Sequence, residues 1–292
     1  KNVTFYGQPM FLVPVRAGTL INFVYMLADM LMHRTTINTI FRKSRLKEVF
    51  SMQNYISYAE ADELCDGLIR QFIGSNNVTI PLNVDIDAFV TQFLKINVYY
   101  EHFAEKELDK IGFCSDGITS LRVFEQGVAV DHVYPPSTIV LDSFLLRPGE
   151  EYRRRFTLAH EAGHMLAAQI DPEASAHFYH TYNTEKLYTA EELHQRLCIS
   201  EWQANVLAAA LLMPKFIIKD TLTRLNKGRR LRVYGEHVFR PQEKIILQKM
   251  SNALGVSRTA LVIRLRDLGA LQPHALSEYI EKELRLGGEG HA

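Results

Sequence analysis

The chain has 292 residues, 47% of them apolar, and its 33 Lys/Arg balance 33 Asp/Glu. That length and composition suffice for one large domain or two modest ones with a real core. Zero net charge excludes a global basic field aimed at nucleic acid or at an anionic membrane.

Residues 1–51 differ from the rest. They hold seven of the basic residues (Lys1, Arg16, Arg34, Arg42, Lys43, Arg45, Lys47) and only two acids (Asp29, Glu48), so 26 basic and 31 acidic residues remain for the body. The apolar region from Met10 to Met32 is broken by Arg16 and Asp29. Its longest uncharged piece, Ala17 to Ala28, falls short of the roughly 20 apolar residues of a membrane span. Arg16 inside that region, with no small-residue cleavage site after it, also argues against a signal peptide. The segment reads as an N-terminal appendage of unknown role.

From Met52 onward the pattern is that of a folded domain. Leu64, Leu68 and Phe72 at helical spacing predict a helix over Tyr58 to Phe72, and Ile86 to Phe93 is a second apolar-periodic helix. Ile96 to Tyr100 reads as a strand. Phe113, Leu121 to Phe124, Val128 to Val133 and Thr138 to Leu141 read as short strands, separated by Asp116-Gly117, Gln126-Gly127 and Pro135-Pro136. These form a small sheet, expected to be mainly antiparallel. Helices follow over Arg153 to Ala168 and Ser200 to Met213, the second ended by Pro214, which lacks an amide proton. Gln242 to Leu254 and Arg258 to Leu268 flank Gly255-Val256-Ser257, with Ser257 as N-cap. The tail, Gly287 to Ala292, reads as frayed. The cysteines Cys65, Cys114 and Cys198 are odd in number and form no CxxC. They exclude a disulfide framework and a cysteine zinc site, and they suit a reducing, cytoplasmic compartment.

The segment with chemistry is Phe156-Thr-Leu-Ala-His160-Glu161-Ala-Gly-His164-Met-Leu. On a helix, residues four apart share a face, so both imidazoles of HExxH can reach one ion. Neutral imidazole suits Zn²⁺, and zinc lowers the pKa of a water it binds to about 7. Glu161 lies beside the two histidines, where its carboxylate can take the proton of that water and pass it to a leaving amine. The competing reading, a surface helix with solvated histidines, sits poorly with the apolar or small flanks Phe156, Leu158, Ala159, Ala162, Gly163, Met165 and Leu166. Two buried histidines beside a buried Glu need partners, and a metal satisfies all three.

A catalytic zinc site takes a third protein ligand and keeps one position open. Glu201, at the start of an otherwise apolar helix, is the best candidate. Asn205 lies one turn further on the same face, placed to accept the second N–H of a ligand histidine. The bland alternative makes Ser200 and Glu201 merely the polar start of a helix.

Arg154-Arg155-Phe-Thr-Leu-Ala-His-Glu-Ala-Gly-His, then Glu201-x-x-Ala-Asn205 and Ala209-Ala-Leu-Leu-Met-Pro214, resembles the ImmA/IrrE family of metallo-endopeptidases. The resemblance spans roughly Met52 to Leu271. It implies His160, His164 and Glu201 as zinc ligands, Glu161 as general base, and a helix-turn-helix repressor as protein substrate. The sequence departs from the family pattern in the segment before Met52 and in the long gap from His164 to Glu201. That gap carries His177, Tyr179, His180 and Tyr182. His177 or His180 as alternative ligand, or one of these side chains as oxyanion donor, competes with plain loop packing, which is the favoured reading.

The expected architecture is α+β, with the sheet packed on the HExxH helix. A zinc metallopeptidase domain fills residues 52–220, and a helical, helix-turn-helix-like subdomain fills 221–292. Arg258, Arg264 and Arg266 would meet phosphates if that helix pair bound DNA. The acidic body and the apolar face of Ala260, Leu261, Leu265 and Leu268 favour a packing role, so direct nucleic-acid binding is not expected. The strand at Thr138 to Leu141 is expected to border the cleft and pair with an extended substrate. The rival reading is a regulatory DNA-binding or interaction protein whose zinc site is not proteolytic.

Overall fold

The computed structural model describes residues 3–5, 8–10, 56–75, 82–104, 110–170 and 199–284. His177, His180, Cys198, the tail from Gly287 and nearly all of residues 1–51 lie outside them. Within 1–51 the described part is a pair of antiparallel strands, β1 (Val3–Phe5) and β2 (Gln8–Met10).

Helix α1 (Tyr58–Ser75) starts in a reciprocal cap. The Ser57 backbone N–H donates to Glu60 Oε2 at 2.8 Å, and the Glu60 N–H reaches back to Ser57 Oγ at 3.3 Å. Two N–H groups that the first turn would leave unsatisfied are thereby paired. Ala61, Cys65, Leu68, Ile69 and Phe72 form its buried face. Asp85 caps the short α2 (Ile86–Ala88), which runs into a π-helical turn over Phe89–Phe93. That turn delivers Phe89 and Phe93 onto Phe72, with ring centroids 5.5 and 5.7 Å away.

The central sheet has the order β3-β7-β4, from strands β3 (Asn97–Glu101), β7 (Thr138–Asp142) and β4 (Gly112–Ser115). β3 runs parallel to β7 and β4 antiparallel to it, so the sheet is mixed where a mainly antiparallel one was expected. The reason is topological: a separate hairpin intervenes between β4 and β7, and the chain re-enters the sheet between the two earlier strands. The hairpin is β5 (Ser120–Glu125) with β6 (Val128–Val133), joined by Gln126 and Gly127, both at positive φ. Two consecutive left-handed residues match the twist of a tight hairpin. Leu121 and Val123 bury one face of it against Phe113, Tyr134 and Val140.

β7 is the middle strand, bonded on both edges. It therefore has no edge to offer an extended substrate, which corrects that expectation. Among the described residues, the edge of the sheet next to the HExxH helix belongs to β4, whose outer side pairs with no strand.

Helices α3 (Glu151–Ile170) and α4 (Ile199–Leu212) lie side by side, with α1 against the other side of α4. Their contact is close because of Gly163. A Cβ there would stand 2.8 Å from the Ala204 carbonyl oxygen and 3.2 Å from its Cα. α4 stops before Pro214, which begins α5 (Lys215–Asn226).

The C-terminal part adds a parallel pair, β8 (Leu231–Tyr234) with β9 (Leu271–His274). Around it lie α6 (Pro241–Leu254), α7 (Arg258–Asp267) and α8 (Leu276–Glu283). Gly255 turns the chain at φ 65°, and the Ser257 side chain accepts from the Ala260 N–H at 3.1 Å, as its N-cap role requires. One buried apolar cluster runs from Ile56 through Leu158 and Leu207 to Leu261 and Leu271. Arg264, fully buried, donates from Nε to the Met213 carbonyl at 3.1 Å and pairs with Asp62. Arg266 donates to the Glu236 carbonyl at 2.8 Å. Two of the three arginines considered for phosphate are thus committed within the protein. No described helix is long and apolar enough to cross a membrane.

Candidate metal centre

His160, Glu161 and His164 lie on the buried side of α3, at 4%, 0% and 1% exposure. Helical periodicity stacks the two imidazoles one turn apart, with ring centroids 4.6 Å apart and nearly perpendicular. Their Nε2 atoms are 3.0 Å apart. Glu201, in the first turn of α4, closes the group: Oε2 is 3.3 Å from His160 Nε2 and Oε1 is 3.3 Å from His164 Nε2. Asn205, one turn further along α4, places Oδ1 3.1 Å from His160 Nδ1.

The donor set fits a metal ion. With the Asn205 amide oxygen facing Nδ1, the His160 proton belongs on Nδ1, and Nε2 presents a lone pair. That lone pair, the His164 Nε2 and two carboxylate oxygens then converge on one buried point. His160, His164 and Glu201 can each offer a ligand atom, all within 4.8 Å of one another. Four-coordinate bonds of about 2.0–2.1 Å would set neighbouring donors about 3.3 Å apart. The observed separations of 3.0 and 3.3 Å are close to that.

Electrostatics point the same way. Burial raises the Glu201 pKa, but the two imidazoles outweigh it and hold the carboxylate well below its ordinary range. Burial likewise lowers the His160 pKa, yet Glu201 and Glu161 more than offset this and raise it. His164 is pushed down to about 4 by burial and by the charge on His160. Glu201 is thus held ionised and His164 neutral, the forms in which each can donate an electron pair to a metal ion.

Glu161 points from α3 toward β4. Burial raises its carboxyl to about 7, against the opposing pull of His160 and Cys114. Cys114 Sγ lies 3.2 Å from Glu161 Oε2 and 3.1 Å from the Glu161 carbonyl. Burial first, and the Glu161 charge second, raise the thiol well above its ordinary value, so it remains protonated. Gly112, two residues earlier on β4, makes room: a Cβ there would stand 2.3 Å from Glu161 Oε1. No sequence signal marked Cys114 or Gly112 for this place, because the contact joins a strand and a helix 47 residues apart. His177 and His180, the alternative donors, lie outside the described residues.

Residues 144–266 match the family model of the IrrE N-terminal-like domain, Peptidase_M78. Over this segment the chain is similar to the ImmA/IrrE metallopeptidase family. The chain is 37% identical over 111 residues to the radiation response metalloprotease IrrE of Deinococcus deserti, covering 38% of this chain and 34% of that protein. It is 36% identical over 92 residues to the protein of the same name from Deinococcus radiodurans, covering 32% and 24%. The matched region thus spans about a third or less of the length of these relatives. The family segment contains His160, Glu161, His164, Glu201 and Asn205, all on α3 and α4. The β4 residues that touch Glu161 lie outside it.

The buried His/His/Glu group thus lies within the matched segment and could hold a metal ion.

Proposed function

We propose that the chain is a zinc-dependent endopeptidase, with His160, His164 and Glu201 as zinc ligands and Glu161 as general base. The observation that carries this is the convergence of three buried donors from two helices, with a buried carboxylate one residue from the first histidine. Zinc, when bound, supplies a Lewis acid that polarises the scissile carbonyl and acidifies water.

The protein's own residues do the rest. Asn205 holds the His160 ring with Nε2 toward the metal. Glu161 takes a proton from the attacking water and delivers it to the leaving amine, and no covalent intermediate with the protein forms. A carboxyl whose pKa is raised by burial to about 7 suits both halves of that transfer. Among the described residues the outer side of β4 pairs with no strand, and its backbone groups can pair with an extended substrate.

The substrate proposed is a helix-turn-helix repressor, cut in a linker or a locally unfolded stretch, because a packed helix cannot lie along a strand edge. The family resemblance supports this substrate class. A reducing, cytoplasmic location is proposed on cysteine usage, with Cys65 and Cys114 free and buried. The proposed organisation keeps residues 1–51 as an appendage, 52–220 as the peptidase domain and 221–292 as a packing subdomain.

The test is metal content and cleavage together. Purified protein should carry near-stoichiometric zinc, and His160→Ala should lose it. Glu161→Gln should keep the zinc and lose cleavage of the repressor encoded beside this chain. Equal cleavage by Glu161→Gln would overturn the mechanism, and a metal-free purified protein that binds no added zinc would overturn the site.

A further inference from the structure

We propose that Cys114 is a positioning residue for the reaction, its thiol setting the direction of the Glu161 carboxylate, with Gly112 keeping the place that Oε1 occupies. The proposal rests on the reading of Glu161 as the base.

Three observations carry it. The Cys114 sulfur is within hydrogen-bond distance of Glu161 Oε2, at 3.2 Å, and of the Glu161 carbonyl, at 3.1 Å. The one S–H hydrogen of the protonated thiol has both oxygens of the same residue within reach, so it anchors Glu161 to β4 through the carboxylate or shared with the backbone carbonyl. Both partners are buried, Cys114 at 4% and Glu161 at 0%, where a carboxylate depends on its donors. Gly112 stands on the same face of β4, since residues two apart on a strand share a face. Its missing side chain is filled by Glu161 itself, whose Oε1, Cδ and Cγ would all lie within 3.0 Å of a Cβ. β4 is thus shaped around this one side chain, with a gap at one residue and a donor at the next but one.

The chemistry favours a thiol here. It is a weak donor, so it orients a carboxylate without holding its electron pair as tightly as a hydroxyl or an ammonium would. A base that must accept a proton and then release it is best aimed by such a contact. Cys114 and Gly112 both lie outside the matched segment, residues 144–266.

The experiment compares Cys114→Ala, Cys114→Ser, Gly112→Ala and Glu161→Gln with the unmutated holoprotein, using fluorescein-labelled casein as substrate. Cys114→Ala should lower kcat roughly tenfold, the order expected for a lost hydrogen bond to a charged group. Its KM, zinc content and Tm should stay close to the unmutated values. Cys114→Ser should recover most of the loss. Gly112→Ala should lose more than Cys114→Ala while keeping its zinc.

A second readout needs no turnover. The infrared S–H stretching band that Cys114→Ala removes should lie at lower frequency in the unmutated protein than in Glu161→Gln, where a neutral amide is the weaker acceptor. Unchanged kcat in Cys114→Ala, failure of serine to restore it, or a Cys114 band indifferent to Glu161→Gln would each overturn the proposal. If Cys114→Ala is normal while Glu161→Gln is inactive, the positioning role fails and the base assignment stands. If Glu161→Gln turns over like the unmutated protein, the base is lost and the proposal falls with it.

Discussion

At the scale of single residues, the site is one of unequal partners around one point. Glu201 contributes two carboxylate oxygens at 3.3 Å from the imidazoles, whereas Asn205 touches only the far nitrogen of His160. Their losses should therefore differ in size. Asn205→Ala should weaken zinc binding about 10- to 100-fold, as removal of a group that orients a ligand does. Glu201→Ala should weaken it further, since it removes a donor and leaves two imidazoles facing a hole. Competition titrations with a chelator measure both, and equal affinities for the two variants would contradict the assignment. The HExxH spacing made His160, Glu161 and His164 legible from sequence, because a four-residue repeat on a helix is a local geometric fact. Glu201 was legible only through the need for a third ligand. Cys114 and Gly112 were not legible, because nothing local to β4 shows what lies across from it.

At the scale of elements, the metal group exists because α3 and α4 approach closely, and Gly163 permits that approach. A methyl group there would press on the Ala204 backbone, which is the wall of a helix and cannot swing aside. Gly163→Ala should therefore destabilise the protein by about 1–3 kcal/mol, the range for overpacking a tight interface. Because Glu201 and Asn205 ride on the displaced helix, zinc affinity should fall as well. A lowered Tm with unchanged zinc affinity would mean that the two helices separate without moving the site. The cap at α1 is an independent element. Ser57→Ala should cost about 1 kcal/mol in chemical denaturation while leaving zinc content intact, since the cap touches no site residue. The helices named from periodicity, 58–72, 153–168, 200–213, 242–254 and 258–268, match α1, α3, α4, α6 and α7 to within a few residues, and 86–93 divides into the short α2 and the π-helical turn after it. α5 and the β8–β9 pair went unread, because the first follows a proline break directly and the second is a parallel pairing across 36 intervening residues.

At the scale of the whole molecule, the C-terminal helices are tied to the site-bearing helices by more than sequence continuity. Arg155 on α3 donates to the Gly255 carbonyl and to the Val84 carbonyl, both at 2.9 Å, and Arg264 reaches the Met213 carbonyl. Leu247, Met250, Leu261 and Leu265 belong to the same buried cluster as Leu207 and Leu211. A chain ending at residue 220 would expose that surface and strand Asp62 without its arginine. It should fail to unfold cooperatively, whereas a chain beginning at Met52 should fold and bind zinc like the full chain. Circular dichroism melts of the two truncations measure this. A cooperative melt for the first would show that the C-terminal helices are dispensable to the core, and loss of zinc by the second would move the start of the domain before Met52.

The sequence by itself determined which side chains could hold a metal ion, which carboxyl stands beside them, and which helices carry them. Those properties depend on residue type and on spacing within one turn, and both are written locally. Only the tertiary structure decided how the pieces meet. It made β7 the middle strand and β4, among the described residues, the edge strand beside α3, and it turned Arg264 inward to the core. It also laid a thiol against the carboxylate of Glu161. Each of these depends on surfaces far apart in the chain, joined because burying them together removes apolar area from water. No pattern along one strand or helix records its partner.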